Sequence, residues 1–371
     1  MTARSGPMAG EANAVRADRA DPPDLPPEVQ VIGAPVRARL TAVLDQAIAE
    51  WVPIDPELER PLASIRRLVL AGGKRLRPAF CYWAFVGAGG RPDDPVIVDA
   101  GAALELLHAF ALVHDDVMDE SVRRRGAPTV HVEYAAIHRA EGWVGDPERF
   151  GEGAAILVGD LAHVLANELI VGLGERAARV WNQLAIEVNV GQYLDVVGTA
   201  RGSVDLPTAR RISRYKSGKY TIERPLHLGA ALAGRLDELA GPLSAYGEPL
   251  GEAFQLRDDL LGVFGDPARM GKPVGEDLRE GKPTPLLAVA RQRCTGDEAA
   301  LLERVGDPTL DEHGIATLQA VLESCGARDE IERSITALTD RAIDAARRAP
   351  LRGEARAALV ALAGYVATRD R

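Results

Sequence analysis

Two pairs of adjacent aspartates stand out among the residues that could carry chemistry. Asp115-Asp116 and Asp258-Asp259 each follow an apolar stretch with helical spacing, close to glycines that indicate a helix end. A helix C-terminus carries partial negative charge, so each acid placed there costs roughly 0.3–1 kcal/mol. Neighbouring carboxylates about 5 Å apart also repel by roughly 3 kcal/mol at an effective dielectric constant of about 20. A bound cation would relieve both penalties.

The first pair has a third carboxylate within reach. Asp119 lies four residues after Asp115, so a helix places both on one face, one turn apart. Mg²⁺ fits such a set, because it is commonly held by one or two carboxylates, several waters and the oxygens of a substrate phosphate. A single pair is typical of a solvated helix face, whereas two pairs that each follow an apolar helix favour a metal site.

Two basic motifs supply a counterpart for phosphate. The segment GGKRLRP, residues 72–78, ends one helical pattern with glycine and begins another, and RRRG, residues 123–126, follows the first aspartates. Arginine is suited to bidentate recognition of phosphate oxygens, whereas lysine acts as a point charge. Alone, RRRG would be typical of a solvated surface. Beside the carboxylates, it indicates a metal-bound diphosphate.

The elements that must position these residues are helices. Apolar residues recur at three- and four-residue steps from Val36 onward, and alternation with a period of two is nearly absent. Several helices are apolar around most of their circumference, which is typical of helices buried among other helices. We therefore predict an all-α, single-domain bundle over residues 31–371, preceded by a proline-rich, disordered tail over residues 1–30. Glycine-rich residues 141–153 are predicted to form a loop.

Composition and charge narrow the classes of function that this sequence could have. The 371 residues carry 54 acidic and 44 basic side chains, and this net charge of −10 disfavours a nucleic-acid binder. Three widely spaced cysteines form no Cys-x-x-Cys motif, so neither a disulfide framework nor a zinc site is indicated. No apolar run approaches the roughly 18 residues of a membrane span, and the N-terminus lacks a signal-peptide pattern. We expect a cytoplasmic protein without stable membrane insertion.

The ordered motifs resemble those of one known family. GGKRLRP, ELLHAFALVHDDVMD, RRRGAPT, YKSGKYT, AFQLRDD and MGKPVGEDLREGKPT occur in the order and approximate spacing of trans-isoprenyl diphosphate synthases, the polyprenyl synthetase family. The sequence resembles bacterial geranylgeranyl diphosphate synthases in particular, over about residues 36–371. The resemblance implies the isoprenoid synthase fold, a large helical bundle around a central apolar cavity. It also implies head-to-tail condensation of isopentenyl diphosphate with an allylic diphosphate.

The same resemblance implies roles for individual residues. The expected metal ligands are Asp115, Asp119, Asp258 and Asp259, with Asp116 in support. The expected contacts of isopentenyl diphosphate are Lys74, Arg77, His108 and Arg125. The expected contacts of the allylic diphosphate and the reacting centre are Arg124, Lys216, Lys272, Gln192, Ser217 and Gln255. The implied cofactor is Mg²⁺, about three ions with substrate bound and Mn²⁺ as a substitute, and the implied assembly is a homodimer.

One position departs from the family pattern. Gly262 stands where the second aspartate motif often has a third Asp. Asp266 is the nearest alternative, but eight helical steps rotate it about 80° from Asp258. We expect the metal site to survive, because in the family the first Asp of this motif is the main ligand.

Product length depends on the side chains one turn before Asp115, because the growing chain should extend down from the first metal site. Of Phe110 and Ala111, only Phe110 is aromatic, and no residue is inserted between Asp115 and Asp119. This pattern resembles synthases of geranylgeranyl diphosphate (C20), with farnesyl diphosphate (C15) second. Two further alternatives are a terpene cyclase, which would not need the second anion site, and a non-catalytic regulatory subunit, which Gly262 motivates.

Overall fold

Helices make up nearly all regular structure in the computed structural model, which describes residues 25–124, 126–265 and 275–369. In chain order the helices are α1 Pro27–Trp51, α2 Glu59–Leu70, α3 Leu76–Gly87, α4 Pro95–Met118, α5 Val130–Glu141, α6 Pro147–Val171, α7 Glu175–Ala200, α8 Leu206–Ser213, α9 Arg224–Leu232, α10 Leu236–Phe264, α11 Glu276–Glu280, α12 Pro285–Arg293, α13 Gly296–Leu302, α14 Glu312–Ser324, α15 Ala327–Arg348 and α16 Gly353–Thr368. The prediction of an all-α fold is confirmed.

A 3₁₀ turn, a π-helix and a two-stranded hairpin lie between helices. A 3₁₀ turn, Pro56–Leu58, precedes α2, and a π-helix, Arg214–Glu223, joins α8 to α9. Strands β1 (Arg123–Arg124) and β2 (Ala127–Pro128) pair antiparallel directly after α4. The arginine-rich motif therefore forms a short hairpin that folds back toward the end of α4.

The first helix begins inside the segment predicted as a disordered tail, residues 1–30. α1 starts at Pro27, a favourable residue at a helix N-terminus because the missing N–H would have no helical partner there. Val29 and Ile32 are already buried in the core. The predicted boundary was therefore too late, and residues 1–24 lie outside the described residues.

The predicted loop at residues 141–153 was too long. α6 begins at Pro147, and the Asp146 side chain caps it by accepting a hydrogen bond from a first-turn amide at 2.8 Å. Gly151, one of the glycines that indicated a loop, is instead a helical contact residue. A Cβ there would lie 2.2 Å from the carbonyl oxygen of His131, so this glycine lets α5 and α6 pack closely.

Buried apolar side chains form two clusters that share α10 and α15. The larger cluster contains side chains of α1 to α7, α9, the first half of α10, the end of α15 and α16. The smaller cluster contains the second half of α10, α11, α12, α14 and the first half of α15. The first aspartate pair thus ends a helix of the larger core, and the second pair lies on the α10 segment of the smaller core.

Two of the described helices, α4 and α6, are long and apolar enough in composition to cross a membrane. α4 is mostly buried and packs along α6, as expected for a core helix of a bundle. α6 leaves several large apolar side chains exposed, namely Ile156, Leu157, Val164 and Val171.

Candidate active site

The first aspartate cluster, Asp115, Asp116 and Asp119, lies at the C-terminus of α4. Asp119 follows the last helical residue, and the chain then turns into the β1–β2 hairpin. The hairpin carries Arg124 back over α4, where its Nε donates to both carboxylate oxygens of Asp116 at 2.8 and 2.9 Å. Arg124 Nη2 also lies 3.5 Å from Asp115. The predicted grouping of Arg124 with the first aspartates is present in the structure.

Lys216 and Gln192 converge on the same carboxylate. Lys216 Nζ donates to Asp115 Oδ1 at 2.9 Å and to Asp195 Oδ2 at 2.5 Å, and Gln192 Nε2 donates to Asp115 Oδ1 at 3.0 Å. Burial opposes ionisation of Asp115, but Lys216, Lys282 and Arg124 outweigh it and hold the pKa of this carboxyl well below its usual value. Asp115 is therefore an ionised carboxylate surrounded by cations.

Lys282 is a cation of this cluster that the sequence analysis did not assign. Its Nζ lies 2.9 Å from Asp119 Oδ2, 2.8 Å from Glu280 Oε2 and 4.0 Å from Asp277 Oδ1. The neighbouring carboxylates outweigh burial and raise the pKa of Lys282 well above its usual value. The motif that contains Lys282 had been recognised, but its predicted contact, Lys272, lies outside the described residues.

The π-helix positions Lys216 and Ser217. Gly191 of α7 lies directly against it, so that a Cβ at Gly191 would be 2.2 Å from the Lys216 backbone nitrogen. On the other side Gly218 meets Gly251 of α10, where a Cβ at Gly251 would be 2.7 Å from the Gly218 carbonyl oxygen. A π-helix inside a run of α-helix is frequent at functional sites. Here its course is fixed by glycine contacts on both flanks.

A buried ion pair fixes the end of the π-helix. Glu187 of α7 accepts two hydrogen bonds from Arg224, at 2.7 and 2.8 Å. Burial disfavours the charged form of Glu187, but the hydrogen bonds from Arg224 and Gln183 lower its pKa overall. The pair ties α7 to the first residue of α9, directly after the π-helix.

The second cluster, Asp258 and Asp259, lies near the C-terminus of α10. Asp258 forms a salt bridge with Arg369, whose guanidinium also lies over the Phe254 ring at 3.7 Å. Asp259 is buried, and its Oδ1 accepts a hydrogen bond from Gln255 at 2.7 Å. Its Oδ2 is buried with no hydrogen-bond partner. Burial is the main cause that raises the pKa of Asp259 well above its usual value.

Two of the predicted contacts of isopentenyl diphosphate, Arg77 and His108, meet at Tyr220, which the sequence analysis did not single out. The Arg77 guanidinium lies 4.1 Å from the centre of the Tyr220 ring, and the Tyr220 hydroxyl is 2.6 Å from His108 Nδ1. Lys74 lies in the loop between α2 and α3. The neighbouring Arg75 is structural, since it is buried in a salt bridge with Glu105. The remaining predicted contact, Arg125, lies outside the described residues.

Phe110 lies one and a half turns before the first cluster, in contact with α6. Its ring stacks on the imidazole of His163 with 4.8 Å between centres, and the centre of the His114 ring lies 4.6 Å from it. Phe110 is buried and Ala111 is half-buried. Three rings thus lie together between α4 and α6, below the aspartates.

The two aspartate clusters fit a hard metal ion by their chemistry. Among the described residues, no three carboxylate, histidine or cysteine groups are already arranged around one metal position. The carboxylates instead hold the lysine and arginine cations described above. Their oxygens are the ligands that Mg²⁺ prefers, and the unpartnered, buried Oδ2 of Asp259 is an acceptor that a cation would satisfy. The residues therefore fit Mg²⁺.

Comparison with known proteins gives a consistent result. The family model described as polyprenyl synthetase matches residues 59–322. A geranylfarnesyl diphosphate synthase of Aeropyrum pernix is 32% identical over 88% of this chain and 99% of its own length. A geranylgeranyl diphosphate synthase of Mycobacterium tuberculosis is 32% identical over 81% and 89%.

A solved structure is similar over nearly the whole chain. It is geranylgeranyl pyrophosphate synthase from Corynebacterium glutamicum, complexed with isoprenyl diphosphate and magnesium. The two chains are 39% identical, with a TM-score of 0.87, and the match covers 92% of this chain and 99% of the other.

Proposed function

The chain belongs to the polyprenyl synthetase family and is a trans-prenyltransferase, and from this we propose that it makes geranylgeranyl diphosphate (C20). In the proposed reaction, isopentenyl diphosphate condenses head-to-tail with an allylic diphosphate. The observation that carries the proposal is the convergence of Arg124, Lys216 and Lys282 on the first aspartate cluster. A similar protein was solved with isoprenyl diphosphate and magnesium.

The proposed cofactor is Mg²⁺, held by Asp115, Asp119, Asp258 and Asp259. Bound there, it would stabilise the negative charge that develops on the departing diphosphate. Arg124 and Lys216 both lie against Asp115, from the hairpin and the π-helix respectively. They are placed to pair with diphosphate oxygens and so add to this stabilisation.

The second substrate has its own proposed site. Arg77 and His108 meet at Tyr220, and Lys74 lies on the loop that leads to Arg77. These groups would hold isopentenyl diphosphate. The proposed residues of the reacting centre are Ser217, Gln192 and Gln255, and Lys272 stays a predicted contact of the allylic diphosphate. The departed diphosphate is the proposed acceptor of the final proton, so no separate general base is required.

The apolar helices below the clusters support the chemistry and the product length. An allylic carbocation must be kept from water until the double bond attacks it, and α4 and α6 are lined with apolar side chains. Phe110, stacked on His163, is the proposed floor of this channel. Of positions 110 and 111 only Phe110 is aromatic, which supports C20, with C15 as the alternative.

We also propose that the enzyme is a cytoplasmic homodimer. α6 and α7 leave large apolar side chains exposed: Ile156, Leu157, Val164, Val171, Ile186, Val190, Tyr193 and Val196. Apolar patches of this kind commonly mark protein interfaces. A second copy of the chain is the proposed partner. Leu157→Glu should then shift the purified protein to the monomer in sedimentation, whereas an unchanged mass would place the interface elsewhere.

The reaction is tested with purified protein, Mg²⁺ and isopentenyl diphosphate, offered separately with dimethylallyl, geranyl and farnesyl diphosphates. The expected terminal product is C20 from each primer. A terminal C15 product would correct the proposed length. Cyclised hydrocarbon formed without consumption of isopentenyl diphosphate would indicate a cyclase, and no product from any primer would favour a regulatory subunit.

A further inference from the structure

We infer that Cys294 and Cys325 form a redox-active thiol pair, which a low-molecular-weight disulfide converts into a disulfide bond between the ends of α12 and α14. The pair is a modification site of the chain. The inference goes beyond the proposed function and does not depend on it, because neither cysteine is among the residues proposed to bind metal or substrate.

The fold brings together two cysteines that are far apart in the sequence. Cys294 directly follows the last residue of α12, and Cys325 directly follows the last residue of α14. The thiol of Cys294 is hydrogen-bonded to the side chain of Cys325. Cys294 belongs to the smaller apolar cluster, and Cys325 packs against that cluster. The wide spacing in the sequence gives no sign of this pair, because the contact is tertiary.

Polar contacts that do not involve sulfur hold the two helix ends together. Arg293 Nη1 donates to the carbonyl oxygens of Gly326 at 2.8 Å and of Cys325 at 3.4 Å, and so joins the end of α12 to the end of α14. Ser324 Oγ donates to Glu298 Oε1 at 2.8 Å, which ties α14 to α13. The two thiols are therefore held next to each other by their neighbours.

The two thiols differ in their access to solvent. Cys325 is half-buried, whereas Cys294 is only 7% exposed. Burial, followed by the hydrogen bond and the charge of Cys325, raises the pKa of the Cys294 thiol above its usual value. The thiolate is the nucleophile in exchange with a disulfide. Cys325 is therefore the attacking thiol, and Cys294 is the resolving thiol.

Oxidation takes place in two thiol–disulfide exchanges. The Cys325 thiolate attacks one sulfur of the small disulfide, whose S–S bond breaks, and the first small thiolate leaves with the electron pair. Cys294 then gives up its proton, and its sulfur attacks Cys325 Sγ and displaces the second small thiolate. The protein loses two hydrogen atoms, and the small disulfide is reduced to two thiols. In a reducing compartment the pair returns to the dithiol form.

Two other roles for a pair of neighbouring thiols find less support. A shared metal ion would need further ligands, and among the described residues no group of three histidine, cysteine or carboxylate side chains could hold one. A purely apolar contact would need no access to solvent, as at Cys81, which is fully buried in α3. Cys325 is half-buried instead.

The test treats reduced, purified wild type with oxidised glutathione, then alkylates the free thiols in denaturant and digests the chain with trypsin. Trypsin places the two cysteines in different peptides, residues 294–304 and 305–328. We expect mass spectrometry to find these peptides joined, the protein to be lighter by two hydrogen atoms, and Cys81 to be alkylated. Glutathione retained on Cys325 without a cross-link overturns the inference, and so does a wild type that does not react.

Single substitutions test the assigned order. Cys294→Ser removes the resolving thiol and should leave glutathione bound to Cys325. Cys325→Ser removes the attacking thiol, and Cys294 should then react at least about 10-fold more slowly than Cys325 does in Cys294→Ser. Equal rates in the two variants overturn the assignment of Cys325 as the attacking thiol.

Thermal unfolding gives a second readout. A bond between these helix ends restricts the unfolded chain, so oxidised wild type should melt about 5 °C above reduced wild type. The double variant Cys294→Ser/Cys325→Ser is the control and should show no shift after the same treatment. An equal shift in the double variant, or none in wild type, overturns the inference. Neither readout needs catalysis, so an inactive wild type would refute the proposed function and leave this inference standing.

Discussion

Gly191→Ala tests whether the contact between α7 and the π-helix places Lys216. The new methyl group would lie 2.2 Å from the Lys216 nitrogen, 2.4 Å from the Tyr215 carbonyl carbon and 2.5 Å from the Lys216 Cα. All three are backbone atoms, so the π-helix must retreat by roughly 1 Å to reach ordinary contact. A shift of that size would break the bonds of Lys216 to Asp115 and Asp195. Misplacement of this order typically costs about 100-fold in rate.

The assay is steady-state condensation with thermal unfolding of the same samples. We expect kcat/KM of Gly191→Ala to fall about 100-fold and its stability to fall by about 1–3 kcal/mol from overpacking. Gly241→Ala is the control, because Gly241 is also helical and has nothing within 4 Å of the added methyl. It should gain about 0.5–1 kcal/mol and keep full activity. Wild-type kcat/KM in Gly191→Ala would refute the reasoning.

Three further predictions address the channel, the second cluster and the buried ion pair. Phe110→Ala should lengthen the main product and Ala111→Phe should shorten it, as judged by product chromatography; unchanged lengths would show that the floor lies elsewhere. Because burial raises the pKa of Asp259, the unfolded chain loses that proton first, so metal-free protein loses stability as pH rises above about 3.9. Asp259→Asn should therefore raise the melting temperature in chelator at pH 7 but not near pH 4, and an equal gain at both would contradict this. Glu187→Ala leaves Arg224 without its bidentate partner and should cost about 3 kcal/mol in urea unfolding, with a loss below 1 kcal/mol as the contrary result.

The helices and the first cluster could be predicted because both depend on local spacing. The period of the apolar residues gives α4, and the four-residue step from Asp115 to Asp119 gives one face of it. Arg124 follows within one hairpin of the same helix. These relations involve residues close together in the sequence, so no tertiary information was needed.

The partners that were missed are distant in the sequence. Lys216 is 101 residues from Asp115, and Arg369 is 111 residues from Asp258. The family motif pointed to Lys216, but no local pattern marks Asp195 as a partner of Lys216 or Arg369 as the partner of Asp258. The π-helix was missed because its extra residue per turn follows from close glycine contacts with α7 and α10, and those contacts are tertiary. The N-termini of α1 and α6 were predicted too late. Their Pro-Pro and Asp-Pro starts lie in proline-rich and glycine-rich stretches, which had indicated a tail and a loop.

The lysine and arginine side chains that pair with the aspartates determine whether the chain can fold before it binds a metal. In many small zinc proteins the ligands repel one another until the metal arrives, so the chain stays unfolded without it. Here Arg124, Lys216, Lys282 and Arg369 already pair with the carboxylates of Asp116, Asp115, Asp119 and Asp258. We therefore expect the chain to fold without bound Mg²⁺. The free energy of metal binding is then not needed for folding and can contribute to substrate binding.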